Sequence, residues 1–156
     1  MEIKFQLNGK EIKAEAEADT ILLDLLREKG CYSVKRGCET ANCGLCTVLM
    51  NKKSVLSCSI LAVQADGQEI VTLEGMQKEA EEFGDFLANE GAEQCGFCNP
   101  GFIMNVFAML EEIEEPTEEE ILEYLAGNLC RCSGFVGQTR SILKFLEYKK
   151  GGKKEV

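Results

Sequence analysis

Histidine is absent from this chain of 156 residues. Without an imidazole side chain the protein cannot form a Cys₂His₂ zinc finger, a Rieske centre, a histidine-ligated haem site or a Ser–His–Asp triad. Long apolar runs are also missing, since no stretch approaches the roughly 20 apolar residues that cross a bilayer. The sequence therefore predicts no imidazole chemistry and no membrane insertion.

Other absences narrow the class of protein further. The start of the chain, 1–8, lacks the basic and apolar regions of a secretory signal, so we expect a cytoplasmic protein with reduced thiols. Basic residues are few, with 17 Lys and Arg against 27 Asp and Glu and a formal charge of −10. Binding to nucleic acid needs clustered Lys and Arg, so we expect none. Neither G-x-G-x-x-G nor a P-loop occurs, which argues against a nucleotide site.

Cysteine, in contrast, is abundant, with nine residues in the chain. Reduced cysteines at this density indicate metal ligands rather than disulfides. One set has the spacing C-x₄-C-x₂-C and a fourth member after eleven further residues: Cys38, Cys43, Cys46 and Cys58. This spacing is typical of a plant-type [2Fe–2S] site. Gly37 and Gly44 would let the loop turn tightly and direct amide N–H groups at the sulfurs.

A second set consists of two close pairs, each just before a predicted helix: Cys95, Cys98, Cys130 and Cys132. Two loops at helix N-termini can bring such pairs to one cluster, and the helix dipole favours thiolates there. Spacing alone leaves a structural Cys₄ zinc site open for both sets, and more so for the second. Cys31 has no partner spacing, so we expect it to be a small buried side chain.

The periodicity of apolar residues divides the chain into two predicted domains. Residues 1–76 alternate as strands around one helix, with Asn8-Gly9 as a hairpin turn, Asp19 or Thr20 as a helix cap, and a last strand over 69–73. Residues 77–150 change to a helical period, and 151–156 form a tail. The fold class is therefore α+β.

Four helices are predicted in the second domain. The first stops at Gly91, and the second is capped by Asn99 with a proline following. Thr117 and a glutamate three positions later form a capping box for the third. The fourth covers about 138–148. Helices of this length are expected to form a four-helix bundle.

Three motifs, GCETANCGLCTV, QCGFCNPGF and GNLCRCSGF, occur in this order. The chain resembles the two-[2Fe–2S] subunit of molybdenum hydroxylases, which include xanthine dehydrogenase, aldehyde oxidoreductase, nicotinate dehydrogenase and carbon monoxide dehydrogenase. The resemblance implies a β-grasp, ferredoxin-like N-terminal domain and a C-terminal four-helix bundle. It also implies that the motifs supply the two sets of cluster ligands.

The resemblance further implies a place in a hetero-oligomeric oxidoreductase. Electrons would leave molybdopterin on a large subunit, reach the cluster held by the second set, pass to the cluster held by the first set, and continue to FAD on a medium subunit. Gln94 and Cys132 would contact the edge of the pterin. No catalytic residue is expected on this chain itself. A free ferredoxin-like carrier and a zinc-stapled interaction module are the alternative functions.

The first motif departs from the family pattern at two glycines, which are Glu39 and Ala41 here. We expect Asn42 to supply a left-handed backbone conformation, because asparagine tolerates positive φ. A carboxylate beside an anionic cluster disfavours reduction, so Glu39 predicts a lower reduction potential for this cluster.

Overall fold

A mixed five-stranded sheet forms the N-terminal part of the protein, for which a computed structural model describes residues 1–151. The strands are β1 (Glu2–Leu7), β2 (Lys10–Glu15), β3 (Thr47–Met50), β4 (Lys53–Leu56) and β5 (Glu69–Val71). They lie in the order β2-β1-β5-β3-β4, with β1 and β5 parallel and the other neighbours antiparallel. The expected strand-rich N-terminal region is confirmed.

Two tight hairpins set the register of the outer strands. Asn8 and Gly9 have φ of 51° and 76°, and Asn51 and Lys52 have φ of 51° and 67°. Two consecutive residues with positive φ characterise the turn that matches the twist of paired strands. The first hairpin therefore agrees with the Asn-Gly signal in the sequence.

The first helix, α1 (Leu22–Glu28), covers one face of the sheet. Its four leucines are buried against the inward-facing side chains of β1. The predicted caps Asp19 and Thr20 are wrong, because the residue at the capping position is Ile21. The Thr20 hydroxyl instead accepts a hydrogen bond from the Glu17 amide at 3.0 Å, which stabilises the preceding turn.

The C-terminal part is helical and contains α2 (Gln77–Asn89), α3 (Asn99–Glu112), α4 (Glu118–Leu125) and α5 (Phe135–Gly151). The capping box at α4 is confirmed: Thr117 Oγ1 accepts from the Glu120 amide at 3.3 Å, and the Glu120 carboxylate accepts from the Thr117 amide at 2.8 Å. Phenylalanine rings of α2, α3 and α5 meet in the core of this region.

Several predicted boundaries are corrected. Asn99 is the first residue of α3 rather than its cap, since Cys98 occupies that position. Helix α5 begins at Phe135 and continues through Gly151, beyond the predicted 138–148. Strand β5 stops at Val71 because Leu73–Gly75 forms a turn of 3₁₀ helix. Apart from Gly151, the predicted tail lies outside the described residues.

Helix α3 joins the two parts of the structure, because it packs against β3. Met104 and Ala108 of this helix form a buried cluster with Leu49 of β3. The start of α3, which follows Cys98, is thereby held beside the loop that precedes β3. None of the helices within residues 1–151 combines the length and apolar character required to cross a bilayer.

Candidate metal centres

The first set of cysteines lies on two segments at one end of the sheet. Cys38, Cys43 and Cys46 belong to the loop between α1 and β3, which we call the first cysteine loop (residues 36–46), and Cys58 lies in a 3₁₀ turn after β4. Cys43 and Cys46 are buried, whereas Cys38 and Cys58 are partly exposed. The structure therefore brings the loop and the distant fourth cysteine to the same region.

The second set lies on two loops that face each other at the ends of helices. The 95–98 loop precedes α3, and the 130–132 loop precedes α5. The Sγ atoms of Cys95 and Cys132 are 3.5 Å apart, and both residues are exposed. None of the nine cysteines, all within the described part of the chain, forms a disulfide.

The sulfurs of each set lie near one another. In the second set the Cys95 and Cys132 sulfurs are in direct contact. Burial raises the pKa of Cys98, and the neighbouring Cys130 raises it further. Burial likewise raises the pKa of Cys46, with a further contribution from the neighbouring Cys58. Over residues 1–151, no three Cys, Asp or Glu side chains converge closely enough for one metal ion.

An all-thiolate donor set can hold either a two-iron cluster or a single zinc ion. A [2Fe–2S] cluster has four cysteine ligands shared between two irons, so each iron needs only two nearby thiolates. A structural zinc ion requires all four around one centre. The donor set is thus suited to a cluster at both positions.

Backbone amides and burial shift the pKa values of the cysteine thiols in opposite directions. The amide N–H groups of Asn42 and Thr40 lower the pKa of Cys38 to about 6. Burial raises the pKa of Cys46 to about 11 and that of Cys98 to about 12. Cys46 is buried and Cys98 is partly buried, and a metal centre would supply the positive charge that favours their thiolate forms.

The backbone of the first cysteine loop differs from the expectation at one residue. Ala41, with φ of 54°, has the left-handed conformation that we assigned to Asn42, so that prediction is wrong. Gly44 has φ of 73°, and a Cβ there would lie 2.6 Å from the Gly127 carbonyl oxygen. Glycine is required at this position by both its conformation and its close contact.

The negative charge of Glu39 has a nearby counterion. Its carboxylate lies 3.6 Å from the Arg36 guanidinium, which also forms hydrogen bonds of 2.7 and 2.8 Å with Asp24. The Glu39 side chain is 79% exposed, so solvent screens it as well. Both effects weaken the predicted influence of Glu39 on a cluster potential, which stays a prediction.

The two cysteine regions are hydrogen-bonded to each other. The amide of Leu129 donates to the Cys43 carbonyl at 2.9 Å. The buried side chain of Asn128 donates to the carbonyl oxygens of Gly44 and Gly101, each at 3.3 Å. Leu129 directly precedes Cys130, so one residue and one hydrogen bond separate ligand candidates of the two sets. Asn128 was not among the residues predicted from the sequence, where its only signal is its place in the third motif.

Comparison with known proteins identifies both regions. Residues 5–83 match the family described as "2Fe-2S iron-sulfur cluster binding domain", and residues 72–143 match "[2Fe-2S] binding domain". The chain is 43% identical over 137 residues to the nicotinate dehydrogenase small FeS subunit of Eubacterium barkeri, covering 86% of this chain and 87% of that one. It is 46% identical over 137 residues to the xanthine dehydrogenase iron-sulfur-binding subunit of Escherichia coli O157:H7, covering 85% and 86%. The chain belongs to the iron–sulfur subunits of the molybdenum hydroxylases.

Solved structures of this family have the same fold. The quinoline 2-oxidoreductase of Pseudomonas putida 86 matches with a TM-score of 0.88 and 35% identity, over 99% of this chain and 98% of that one. The aldehyde oxidoreductase of Desulfovibrio gigas matches with a TM-score of 0.89 and 31% identity, over 98% of this chain but 18% of that one. The molybdenum hydroxylase subunit described here is therefore ferredoxin-like in its N-terminal part and helical in its C-terminal part.

The predicted pterin contacts of the iron–sulfur subunit lie on its surface. Gln94 is exposed and adjoins Cys95, which faces the exposed Cys132. Large apolar side chains in the same two loops and at the start of α5 are 38–71% exposed: Phe97, Leu129, Phe135 and Val136. This face thus presents sulfur, amide and apolar groups together, and contact with a pterin stays a prediction.

Proposed function

We propose that the chain is the electron-transfer subunit of a heteromeric molybdenum hydroxylase, between a large molybdopterin-binding subunit and a medium FAD-binding subunit. One [2Fe–2S] cluster would be held by Cys38, Cys43, Cys46 and Cys58, and the other by Cys95, Cys98, Cys130 and Cys132. When bound, such a cluster accepts and releases one electron at a time. Two all-cysteine sets, each gathered from two segments within a region that matches a [2Fe–2S] domain, are the observation that carries this proposal.

The residues of this chain contribute ligands, hydrogen bonds and a short separation. Amides of the first cysteine loop point at Cys38, and the Ser133 amide donates to Cys130 Sγ at 3.4 Å. Such N–H···S bonds stabilise negative charge on sulfur and tune the potential of a cluster. The hydrogen bond between Leu129 and Cys43 supports rapid transfer, because it keeps the two ligand sets adjacent.

The exposed face around Cys95 and Cys132 is proposed to dock on the molybdopterin-binding subunit, with Gln94 and Cys132 at the pterin edge. The apolar side chains around this face favour a stable complex over a free carrier, since an exposed apolar patch is usually covered by a partner. We also propose domain limits of 1–76 and 77–150, and a bundle arrangement of α2–α5, supported by their shared apolar core. A reducing, cytoplasmic location is proposed because none of the nine thiols forms a disulfide.

Iron and sulfide analysis tests the proposal directly. The purified chain is expected to contain about four irons and four acid-labile sulfides, with visible charge-transfer absorption. A colourless protein with zinc and no sulfide would establish the interaction module instead. Co-purification with two larger subunits in fixed stoichiometry is expected, whereas isolation of the chain alone from its own organism would favour the free carrier.

Single-cysteine variants test the assignment of ligands. Cys132→Ser is expected to damage the second cluster and to leave the first EPR signal intact, because the two sets lie on separate loops. Cys31→Ala is the matched control, since Cys31 is the ninth thiol and is only 4% exposed. Equal loss of both signals in Cys132→Ser, or loss of a cluster in Cys31→Ala, would contradict the two-site assignment.

A further inference from the structure

Lys35 spans the gap between the two cysteine regions. Its main chain belongs to the segment leading into the first cysteine loop, where its amide donates to the Leu45 carbonyl at 3.3 Å. Its side chain reaches the 95–98 loop, where Nζ donates to the Phe97 carbonyl oxygen at 3.2 Å. The same Nζ lies 4.6 Å from the centroid of the Phe97 ring. One ammonium group therefore contacts the segment between Cys95 and Cys98.

Both contacts on Phe97 are suited to a cation. A carbonyl oxygen and the face of an aromatic ring each present negative potential, and together they fix a flexible lysine in one orientation. Neither contact neutralises the charge, because both groups are uncharged. The positive charge of Lys35 therefore remains available to its surroundings.

Some charged groups on each side of Lys35 in the chain's fold are paired with other residues. Arg36, the next residue, is bound by Asp24 and Glu39. On the helical side, Glu90 is bound by Arg140 and Lys144. Within residues 1–151 no carboxylate forms an ion pair with Lys35, although Glu93 lies beside Gly96 in the loop that Lys35 reaches.

We propose that the charge of Lys35 raises the reduction potentials of both clusters. This inference rests on the ligand sets given under the proposed function. Reduction adds negative charge to a thiolate-bound cluster that is already anionic, and nearby positive charge favours that change. The ammonium group is held against the 95–98 loop, and the main chain of the same residue adjoins the first cysteine loop. In a chain with a net charge of −10, a cation at this place counters the general negative field.

A purely structural role for Lys35 would have a different consequence. The cysteine regions are already tied together by Leu129 on Cys43 and by the buried Asn128 side chain. These bonds do not depend on Lys35, so the spacing of the regions should survive loss of its charge. The effect of the Lys35 charge can therefore be measured separately from that of its hydrogen bond to the Phe97 carbonyl.

Two substitutions make that separation in the full chain with both clusters bound. Lys35→Gln keeps a donor for the Phe97 carbonyl but removes the charge, and Lys35→Arg keeps the charge. Lys10→Gln is the matched control, because Lys10 is an exposed lysine on the β1–β2 hairpin and its loss changes the net charge equally. The midpoint potentials of both clusters are measured by EPR-monitored redox titration.

We expect Lys35→Gln to shift both midpoint potentials to more negative values, while Lys35→Arg and Lys10→Gln leave them near those of the wild type. Unchanged potentials in Lys35→Gln would overturn the inference, and so would a shift confined to one cluster or an equal shift in Lys10→Gln. If Lys35→Gln loses iron, Lys35→Met is titrated with the same expected shift. Loss of iron in both neutral variants would overturn the inference in favour of a structural role.

The iron content of the wild type separates this inference from the proposed function. If the wild type holds about four irons and two EPR signals but Lys35→Gln does not change the potentials, only the role of Lys35 fails. If the wild type lacks one of the clusters, the ligand assignment and the shared role of Lys35 fail together.

Discussion

Replacing Gly101 by alanine is expected to force the start of α3 away from the first cysteine loop. Gly101 lies in the first turns of α3, directly against the loop backbone. A Cβ at this position would overlap the Gly44 carbonyl oxygen and come within 2.9 Å of the Leu45 Cα. Main-chain atoms cannot swing aside as a flexible side chain does, so the helix or the loop must shift.

The expected loss of stability in Gly101→Ala follows from this overlap. Overpacking a well-packed interior destabilises proteins by about 1–3 kcal/mol. The Gly101 carbonyl also accepts a hydrogen bond from Asn128, and its loss would add about 0.5–1.5 kcal/mol. The higher helix propensity of alanine would stabilise the variant by at most about 1 kcal/mol. We therefore expect Gly101→Ala to lower the free energy of unfolding, with each kcal/mol reducing Tm by roughly 2–4 °C.

Gly84→Ala is a matched control, because Gly84 lies in the interior of α2 and its Cβ would have no atom within 4 Å. The same substitution there should stabilise the protein by about 0.5–1 kcal/mol. Thermal unfolding of both variants with clusters bound measures the difference. A Gly101→Ala protein as stable as Gly84→Ala would refute the close contact between α3 and the loop.

Two further changes are expected to lower stability. Burial raises the pKa of Glu74, but hydrogen bonds from Ser33 and Thr72 outweigh it and lower that pKa below its usual value of 4.5. Glu74→Gln should therefore lower the free energy of unfolding by about 1–2 kcal/mol at pH 7. This difference in stability from the wild type should disappear as the pH falls below the lowered pKa of Glu74. Urea unfolding of both proteins over a pH series measures the difference, and a difference that stays constant with pH would contradict the prediction. Thr117→Ala should cost about 1 kcal/mol by removing the cap of α4; an unchanged urea midpoint would show that the capping box contributes nothing.

Local patterns in the chain predicted local structure well. The Asn8-Gly9 turn and the Thr117 capping box depend on bonds between residues a few positions apart, and both are present. Predictions failed where a distant contact replaced a local preference. Strand β5 was expected to continue to residue 73, but the segment turns at Leu73, whose side chain packs on the cluster of α3 and β3.

In the first cysteine loop, too, distant contacts override a local residue preference. Asparagine is the usual residue for positive φ, yet Ala41 adopts it, because the path of the loop is set by contacts with residues far along the chain. Gly44 lies against the Gly127 carbonyl, and the Cys43 carbonyl binds the Leu129 amide. The left-handed conformation costs a residue such as alanine about 1–2 kcal/mol, and several such contacts together outweigh that cost.

The order and spacing of the cysteines were sufficient to indicate two ligand sets, because ligand spacing is a property of the chain and survives without knowledge of the packing. The tertiary structure alone decides which main-chain atoms connect the two regions and where the charge of Lys35 lies, because both depend on segments brought together from far apart. Lys35 and Phe97 are separated by 62 positions, and they meet only because α3 packs on β3 and carries the 95–98 loop to the sheet.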